Sequence, residues 1–168
     1  MAAMVLVHLA GRTAMADGSI LGERLRVSSA GTGGWHAGEP MDDRARASLE
    51  RRGYGDHGHR ARPFASAWFA TTDVLVCLDR SHRQTLAGLA RARAGDDRFE
   101  ERLVLLRGFD PAAGAAVDVP DPYYGDDAGF DACLVMIESA CRGLVAHLGG
   151  IVERSCPGQA IARKDSAS

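Results

Sequence analysis

The chain has 168 residues, of which 46% are hydrophobic and 25% charged, and its formal net charge at pH 7 is −2. A chain of this length suits one domain with a single core, and its near-average composition excludes disordered and fibrous classes. The charge balance gives no basic field for nucleic acid or an anionic membrane. We see no signal peptide and no apolar run of the about 20 residues that a spanning helix needs, so we expect a cytoplasmic protein.

Hydrophobic periodicity predicts an α/β fold in which strands alternate with helices. The predicted helices cover Met1 to about Ala16, Asp42–Arg52, Ser81 (as N-cap) to about Arg93, and Asp131–His147. The predicted strands are Leu25–Ser29, Asp73–Leu78, with the pattern of a strand buried on both faces, and Leu103–Leu106. The segment Gly108–Ala128 is expected to be a loop. We assign residues 1–150 to one domain and expect 151–168 to form a flexible tail.

The chain has four cysteines, and none of them forms a CxxC pair: Cys77, Cys133, Cys141 and Cys156. Isolated cysteines within apolar segments of a cytoplasmic chain are usually buried thiols. A structural zinc site needs closely spaced pairs, so we expect neither a disulfide framework nor a zinc site.

The most informative motif is VPDPYYGDD within the long loop. Asp121 lies between two prolines, which hold the backbone extended and stiff, and Tyr123 and Tyr124 follow it. A carboxyl group fixed beside aromatic rings suits a general acid that acts on an aromatic leaving group. An ordinary surface turn is the alternative, because Asp and Pro are common in turns.

A second motif, SSAGTGGWHAGEP, follows the first predicted strand. Its glycines allow a sharp turn or a close approach to a ligand, and Trp35 and His36 emerge from it. Trp35 is expected either to form a pocket wall or to cap the core.

A third group consists of the run His59-Arg60-Ala61-Arg62 and of Asp79, which directly follows the predicted strand Asp73–Leu78. His59 and Asp79 are candidates to pair and to orient a loop. The run DHGH at 56–59 is a weaker candidate for metal binding, because no further ligands cluster near it. A surface turn also accounts for it.

Together the motifs SAGTG-WH-G, H-x-A-R, DVLVCLDRSH and DPYYG resemble those of the low-molecular-weight protein tyrosine phosphatases, in particular an actinobacterial-like branch. The resemblance extends from Met1 to about Leu148. It implies a three-layer α/β sandwich with a short parallel sheet flanked by helices. It also implies hydrolysis of phosphotyrosine through a phosphocysteine intermediate, without a metal or other cofactor.

The resemblance implies a role for each candidate residue. Asp121 would protonate the leaving phenolate and then activate water. The substrate ring would be bound by Trp35, His36, Tyr123 and Tyr124. The phosphate loop would be braced by Ser29, His59 and Asp79. The implied substrate is a phosphotyrosine-containing protein or a small aryl phosphate, with no nucleic acid or membrane partner.

In one respect the sequence departs from the family pattern. The family has a first central strand and a C-x5-R loop, which supply the nucleophilic cysteine and an arginine, and the sequence begins just after the corresponding position. We therefore expect the 168-residue chain to be inactive and poorly stable, and the start of the gene product to lie upstream. The run from Cys77 to Arg83 also fits C-x5-R, but it has no glycine to form a phosphate loop.

Two alternatives to an active phosphatase remain. One is a pseudophosphatase that keeps the aromatic pocket and binds aryl phosphates without turnover. The other is an arsenate reductase of the same fold, which is disfavoured because Cys77 has no nearby partner cysteine.

Overall fold

The structure is a computed structural model that describes residues 1–55, 58–94 and 97–155. The elements follow in the order α1 (Ala2–Ala10), α2 (Leu21–Arg24), α3 (Asp43–Arg51), β1 (Leu75–Cys77), α4 (Arg80–Ala94), β2 (Leu103–Leu105) and α5 (Asp127–Ser155). Short 3₁₀ helices cover Ser66–Ala70, Asp97–Arg102 and Leu106–Phe109.

The sheet of the described residues consists of β1 and β2, which pair in parallel, with Leu75 opposite Leu103 and Cys77 opposite Leu105. α4 makes the crossover that a parallel pair requires. This confirms both apolar strands and their direction. The expectation that β1 is buried on both faces is wrong, because Val76 is 37% exposed while Leu75 and Cys77 are buried. Side chains alternate between the faces of a strand, so one face of β1 is open at Val76.

The predicted strand Leu25–Ser29 is not a strand in the structure. A strand is defined by a hydrogen-bonded partner, and the two-stranded sheet of the described residues does not include this segment. Just beyond it, Gly31 forms a single parallel bridge with Pro63. The apolar residues of the segment, Leu25 and Val27, pack against the main core instead.

The main core lies between α5, α1 and α3. The predicted periodic residues of α5 are confirmed, since Leu134, Ile137, Cys141 and Leu144 are all at most 2% exposed and Leu148 packs beside them. Burying each such aliphatic side chain contributes about 1.5–3 kcal/mol. A second apolar cluster joins the sheet to α4 and to the Ser66–Ala70 segment: Phe69, Leu75, Cys77, Leu86, Ala87, Ala90 and Leu103.

α5 is longer than the predicted Asp131–His147 at both ends. Residues 151–155, expected to begin the tail, continue the helix, and Val152 packs against the core; residues 156–168, with Cys156, lie outside the described residues. By length and composition α5 is long and apolar enough to cross a membrane, contrary to the expectation from the sequence. The same helix supplies the centre of the main core, where Leu134, Ile137 and Leu144 are buried.

Helix ends also differ from the prediction. α1 stops at Ala10 instead of about Ala16, because the chain turns back and the N–H of Leu21 donates to the carbonyl of Thr13. α3 has the predicted extent, with Asp42 as its N-cap. α4 is capped by Asp79 and not by Ser81: Oδ1 of Asp79 accepts from the backbone N–H of His82 at 2.7 Å, and the hydroxyl of Ser81 donates to the same oxygen.

Candidate active site

The part of the loop just before Asp121 lies at the carboxyl end of β1, where two hydrogen bonds hold its backbone. The N–H of Val119 donates to the carbonyl of Leu78 at 2.8 Å, directly after β1. The thiol of Cys133 on α5 donates to the carbonyl of Pro120. The chain just before Asp121 is therefore fixed to both the sheet and the last helix, at the edge where ligands of parallel sheets usually bind.

Asp121 itself is exposed, and its carboxylate is held by the turn that follows it. Oδ1 accepts a hydrogen bond from the N–H of Tyr123 at 3.0 Å, and the N–H of Gly125 donates to the carbonyl of Pro122 at 2.8 Å. These contacts fix the direction of the carboxyl group while leaving it open to solvent. Such a group is able to exchange a proton with a bound molecule.

Arg44 of α3 holds the other side of this loop, a role that the sequence motifs do not indicate. Its guanidinium donates to the carbonyls of Tyr123 at 3.0 Å and Gly125 at 2.8 Å. It also forms a 3.0 Å ion pair with Asp42. The local signal, an arginine two residues after a helix-capping aspartate, does not by itself reveal a contact with a segment about 80 residues away.

The aromatic side chains of the loop are exposed. Tyr123 is 47% exposed and Tyr124 96%, and their rings meet edge to face at 5.1 Å. The ring of His36 lies 6.3 Å from that of Tyr123, which brings the glycine-rich loop beside the Asp121 loop. Three of the four predicted ring-binding residues therefore lie together.

The fourth, Trp35, is 87% exposed, which excludes the alternative that it caps the core. Its indole ring lies against Gly33, where a Cβ would overlap it. His36 pairs with Glu39 at 2.7 Å. Gly38 adopts a positive φ of 86°, and its N–H donates to the carbonyl of Ala61 at 2.8 Å. This loop is thus tied by its backbone to the segment that follows His59.

The predicted bracing residues do not form one group. Ser29 and His59 line an open depression of about 490 Å³ between α1 and the 59–62 segment. Asp79 is not among the residues that line it, because its carboxylate caps α4 and pairs with His82 at 2.8 Å. Burial tends to raise the pKa of Asp79, but the hydrogen bonds from His82 and Ser81 outweigh it and lower that pKa. The Asp56 and His57 part of DHGH lies outside the described residues.

The described cysteines are buried thiols, as predicted. Burial raises the pKa of Cys77 to about 11 and that of Cys141 to about 12. Burial, helped by the nearby Asp121 carboxylate, also raises the pKa of Cys133. A nucleophilic cysteine needs the opposite shift, so none of these three suits that role, Cys77 of the C-x5-R match included.

Metal binding has no support in the part of the chain that the structure describes. No three His, Cys, Asp or Glu side chains cluster there as a metal site requires. What the described residues place together is an exposed carboxyl group and aromatic rings on a loop held by Arg44.

Comparison with known proteins finds relatives and solved structures that are similar to most of the chain. A 134-residue stretch is 46% identical to a low molecular weight protein-tyrosine-phosphatase of Streptomyces coelicolor, covering 79% of each chain. Low molecular weight protein-tyrosine phosphatase A of Mycobacterium bovis is 44% identical over 125 residues, 74% of this chain and 71% of its own. The crystal structure of a protein tyrosine phosphatase from Entamoeba histolytica superposes with a TM-score of 0.76 at 25% identity, covering 90% of this chain and 89% of that one.

A sequence profile of the low molecular weight phosphotyrosine protein phosphatases matches residues 10–154, a range that includes every predicted site residue. The predicted α/β architecture, with its short parallel sheet and flanking helices, agrees with the similarity to the solved structure from Entamoeba histolytica. With this profile match and a relative of 46% identity, the chain belongs to the low molecular weight phosphotyrosine protein phosphatase family, which confirms the resemblance of its motifs.

Proposed function

We propose that this protein acts on phosphotyrosine, in a protein or as a small aryl phosphate, with Asp121 as general acid and base. The observation that supports this most is the joint placement of an exposed, turn-fixed Asp121 carboxyl and the rings of Tyr123 and Tyr124 on one loop, next to His36. Aromatic walls suit a phenyl ring, and a carboxyl group beside them suits the phenolic oxygen that leaves.

The proposed reaction has two steps. A cysteine thiolate attacks phosphorus, the bond between phosphorus and the phenolic oxygen breaks, and Asp121 gives its proton to that oxygen. The Asp121 carboxylate then takes a proton from water, whose oxygen attacks phosphorus and releases phosphate and the thiolate. Trp35 and His36 would complete the ring-binding surface, while Ser29, His59 and Asp79 would support the phosphate site.

The nucleophile does not come from Cys77, Cys133 or Cys141 in this proposal, because each is buried and has a raised pKa. We propose that the 168-residue chain binds phenylphosphonate through the rings of Tyr123 and Tyr124, and that Cys77, Cys133 and Cys141 release no phosphate from phenyl phosphate. The same observation favours a second candidate, a pseudophosphatase that binds without turnover in every form of the protein. The presence of three unpaired thiols supports a reducing, cytoplasmic location.

The test compares the 168-residue chain with the protein purified from its own cells, whose intact mass is measured first. In a preparation that hydrolyses phenyl phosphate, Asp121→Asn should lower kcat/KM by about 10²–10⁴-fold, the usual contribution of a general acid. Asp126→Asn is the matched control, because Asp126 is also exposed and Asn retains the oxygen that accepts the N–H of Gly129; it should leave kcat/KM nearly unchanged.

Each outcome has a distinct meaning. If both preparations bind phenylphosphonate and neither hydrolyses phenyl phosphate, the protein is a pseudophosphatase. Phosphate release by the 168-residue chain that Cys77→Ser abolishes would contradict the assignment of Cys77 as an inert core thiol. Absence of both binding and hydrolysis would overturn the proposed function.

A further inference from the structure

The backbone N–H and the backbone carbonyl of Tyr123 connect Asp121 to Arg44. Its N–H donates to Oδ1 of Asp121 at 3.0 Å, and its carbonyl accepts from Nη2 of Arg44 at 3.0 Å. Nη1 of Arg44 also binds the carbonyl of Gly125 at 2.8 Å, at the end of the same turn. A displacement of Arg44 would therefore move the peptide units that direct the Asp121 carboxyl group.

The guanidinium of Arg44 is also held by groups outside the loop. Asp42 accepts from its Nε at 3.2 Å and from its Nη2 at 3.0 Å, a two-point contact. The same carboxylate caps α3 through the N–H of Arg44 at 2.8 Å, so it ties the side chain to the helix start. On the other side, the guanidinium carbon lies 4.6 Å from the ring centroid of the buried Phe130.

This arrangement uses Arg44 as a planar fork. One N–H from Nε, one from Nη1 and two from Nη2 are engaged, and they point to Asp42 and to two loop carbonyls. A lysine at this position would supply a single point of charge and no fixed plane. Charged donors form the stronger class of hydrogen bonds, so the contact is able to hold an otherwise exposed turn.

We infer that Arg44 is a positioning residue for Asp121: it fixes the turn at Tyr123 and Gly125 and so holds the proton-transferring carboxyl group in its working direction. This inference rests on the proposed function for the catalytic consequence, whereas the anchoring of the turn is a property of the structure alone. The two parts are tested by separate measurements.

The anchoring is tested by amide hydrogen exchange in the full 168-residue chain. The hydrogen-bonded N–H groups of Tyr123 and Gly125 should exchange at least about tenfold faster in Arg44→Met than in the unsubstituted chain, since opening of the turn no longer breaks charged hydrogen bonds. Arg44→Lys should give an intermediate rate. Protection of the α5 amides from exchange shows that each variant is folded. If Arg44→Met does not fold, the comparison is made with Arg44→Lys.

Arg51→Met is the matched control. Arg51 lies on the same helix, but its guanidinium binds Asp131 and Ser48 and makes no contact with the Asp121 loop in these hydrogen bonds. It should leave exchange at Tyr123 and Gly125 unchanged. Equal exchange rates at these two amides in folded Arg44→Met and the unsubstituted chain would overturn the inference.

The catalytic consequence is tested in a preparation that hydrolyses aryl phosphates. Phenol needs a proton to leave, whereas para-nitrophenol leaves readily without one. Arg44→Met should therefore lower kcat/KM for phenyl phosphate at least about tenfold more than for para-nitrophenyl phosphate, as loss of a general acid would. Asp121→Asn should show the same selective loss, and Arg51→Met should not.

The outcomes separate this inference from the proposed function. An equal loss for both substrates in Arg44→Met would mean that Arg44 supports only the fold, and would overturn the positioning role. Failure of the unsubstituted protein to bind phenylphosphonate would overturn the proposed function, and the catalytic role of Arg44 with it, while the exchange rates would still decide whether Arg44 anchors the turn.

Discussion

The indole ring of Trp35 lies so close to Gly33 that a Cβ at position 33 would overlap it. A Cβ at position 33 would push aside the far end of the Trp35 side chain, so this position of the ring goes with glycine at 33. The ring is held over the glycine-rich loop while remaining 87% exposed. An exposed aromatic ring whose position depends on a neighbouring glycine is consistent with a binding wall and carries little of the core.

We expect Gly33→Ala to displace Trp35 and to weaken binding of phenylphosphonate by about twofold to tenfold, the range of a single aromatic contact. The chemical shift of the Trp35 indole N–H and a titration with phenylphosphonate measure the two effects. Gly34→Ala is the control, because a Cβ at Gly34 meets nothing within 4 Å. A displaced indole with unchanged binding would remove Trp35 from the proposed ring-binding surface.

The cap of α4 gives a second prediction. Oδ1 of Asp79 accepts from the N–H of His82 at 2.7 Å, whereas Ser81 only donates its hydroxyl to that carboxylate. Asp79→Ala should lower the free energy of unfolding by about 0.5–2 kcal/mol, the usual loss for an N-cap. Urea unfolding of Asp79→Ala and Ser81→Ala measures it, and an equal or larger loss for Ser81→Ala would contradict the cap assignment.

The sequence predicts best where the side chains of one segment carry the whole signal. The parallel strands β1 and β2 are short apolar runs, and the core face of α5 recurs at three- and four-residue steps, so both are predictable without knowledge of a partner. The extent of α5 is less predictable: the regular apolar recurrence reaches only Leu148, yet Val152 packs against the core and the helix continues to Ser155.

Features that depend on distant residues are the ones the sequence does not predict. The segment Leu25–Ser29 has strand-like composition, but a strand also needs a partner, and none pairs with it in the described residues. In the sequence Arg44 resembles any other helical arginine, because its partners in the Asp121 loop are the carbonyls of Tyr123 and Gly125, groups that every residue possesses. The choice between a core cap and an exposed wall at Trp35 likewise depended on the surrounding fold.

A third prediction concerns the contact of α5 with the Leu106–Phe109 segment. A Cβ at Gly143 would overlap the carbonyl oxygen of Phe109, so the close approach of the two backbones requires glycine. Gly143→Ala should destabilise the fold by about 1–3 kcal/mol, as overpacking does. Gly149→Ala in the same helix meets only side-chain atoms at 4.0 Å and should instead stabilise, by up to about 1 kcal/mol.

Thermal and urea unfolding of the two glycine variants provide the measurement. Opposite signs are expected because the same chemical change relieves a helix-propensity cost at Gly149 and forces backbone atoms apart at Gly143. Stabilisation by both substitutions would show that α5 moves away from Phe109 without loss.

The fourth prediction follows from the buried thiols and concerns alkaline pH. Burial raises the pKa of Cys77 from its ordinary value of 9.0 to about 11, and that of Cys141 to about 12. The folded chain therefore keeps protons that the unfolded chain releases above about pH 9, so the stability due to these thiols is complete below pH 9 and declines as the pH rises toward their folded values.

Urea unfolding at pH 7, 8.5 and 10 measures this decline, which should be smaller in a Cys77→Ala, Cys141→Ala variant. Burial and a hydrogen bond to Glu138 raise the pKa of Tyr54, which lowers stability at alkaline pH in the same way. Tyr54 is present in both the unsubstituted chain and the double variant, so its effect cancels when their stabilities are compared. In the folded chain neither thiol should react with iodoacetamide at pH 7.5, whereas both should react in urea. Rapid alkylation of Cys77 in the folded chain would mean an accessible thiolate, and would restore the C-x5-R match as a candidate for the nucleophile.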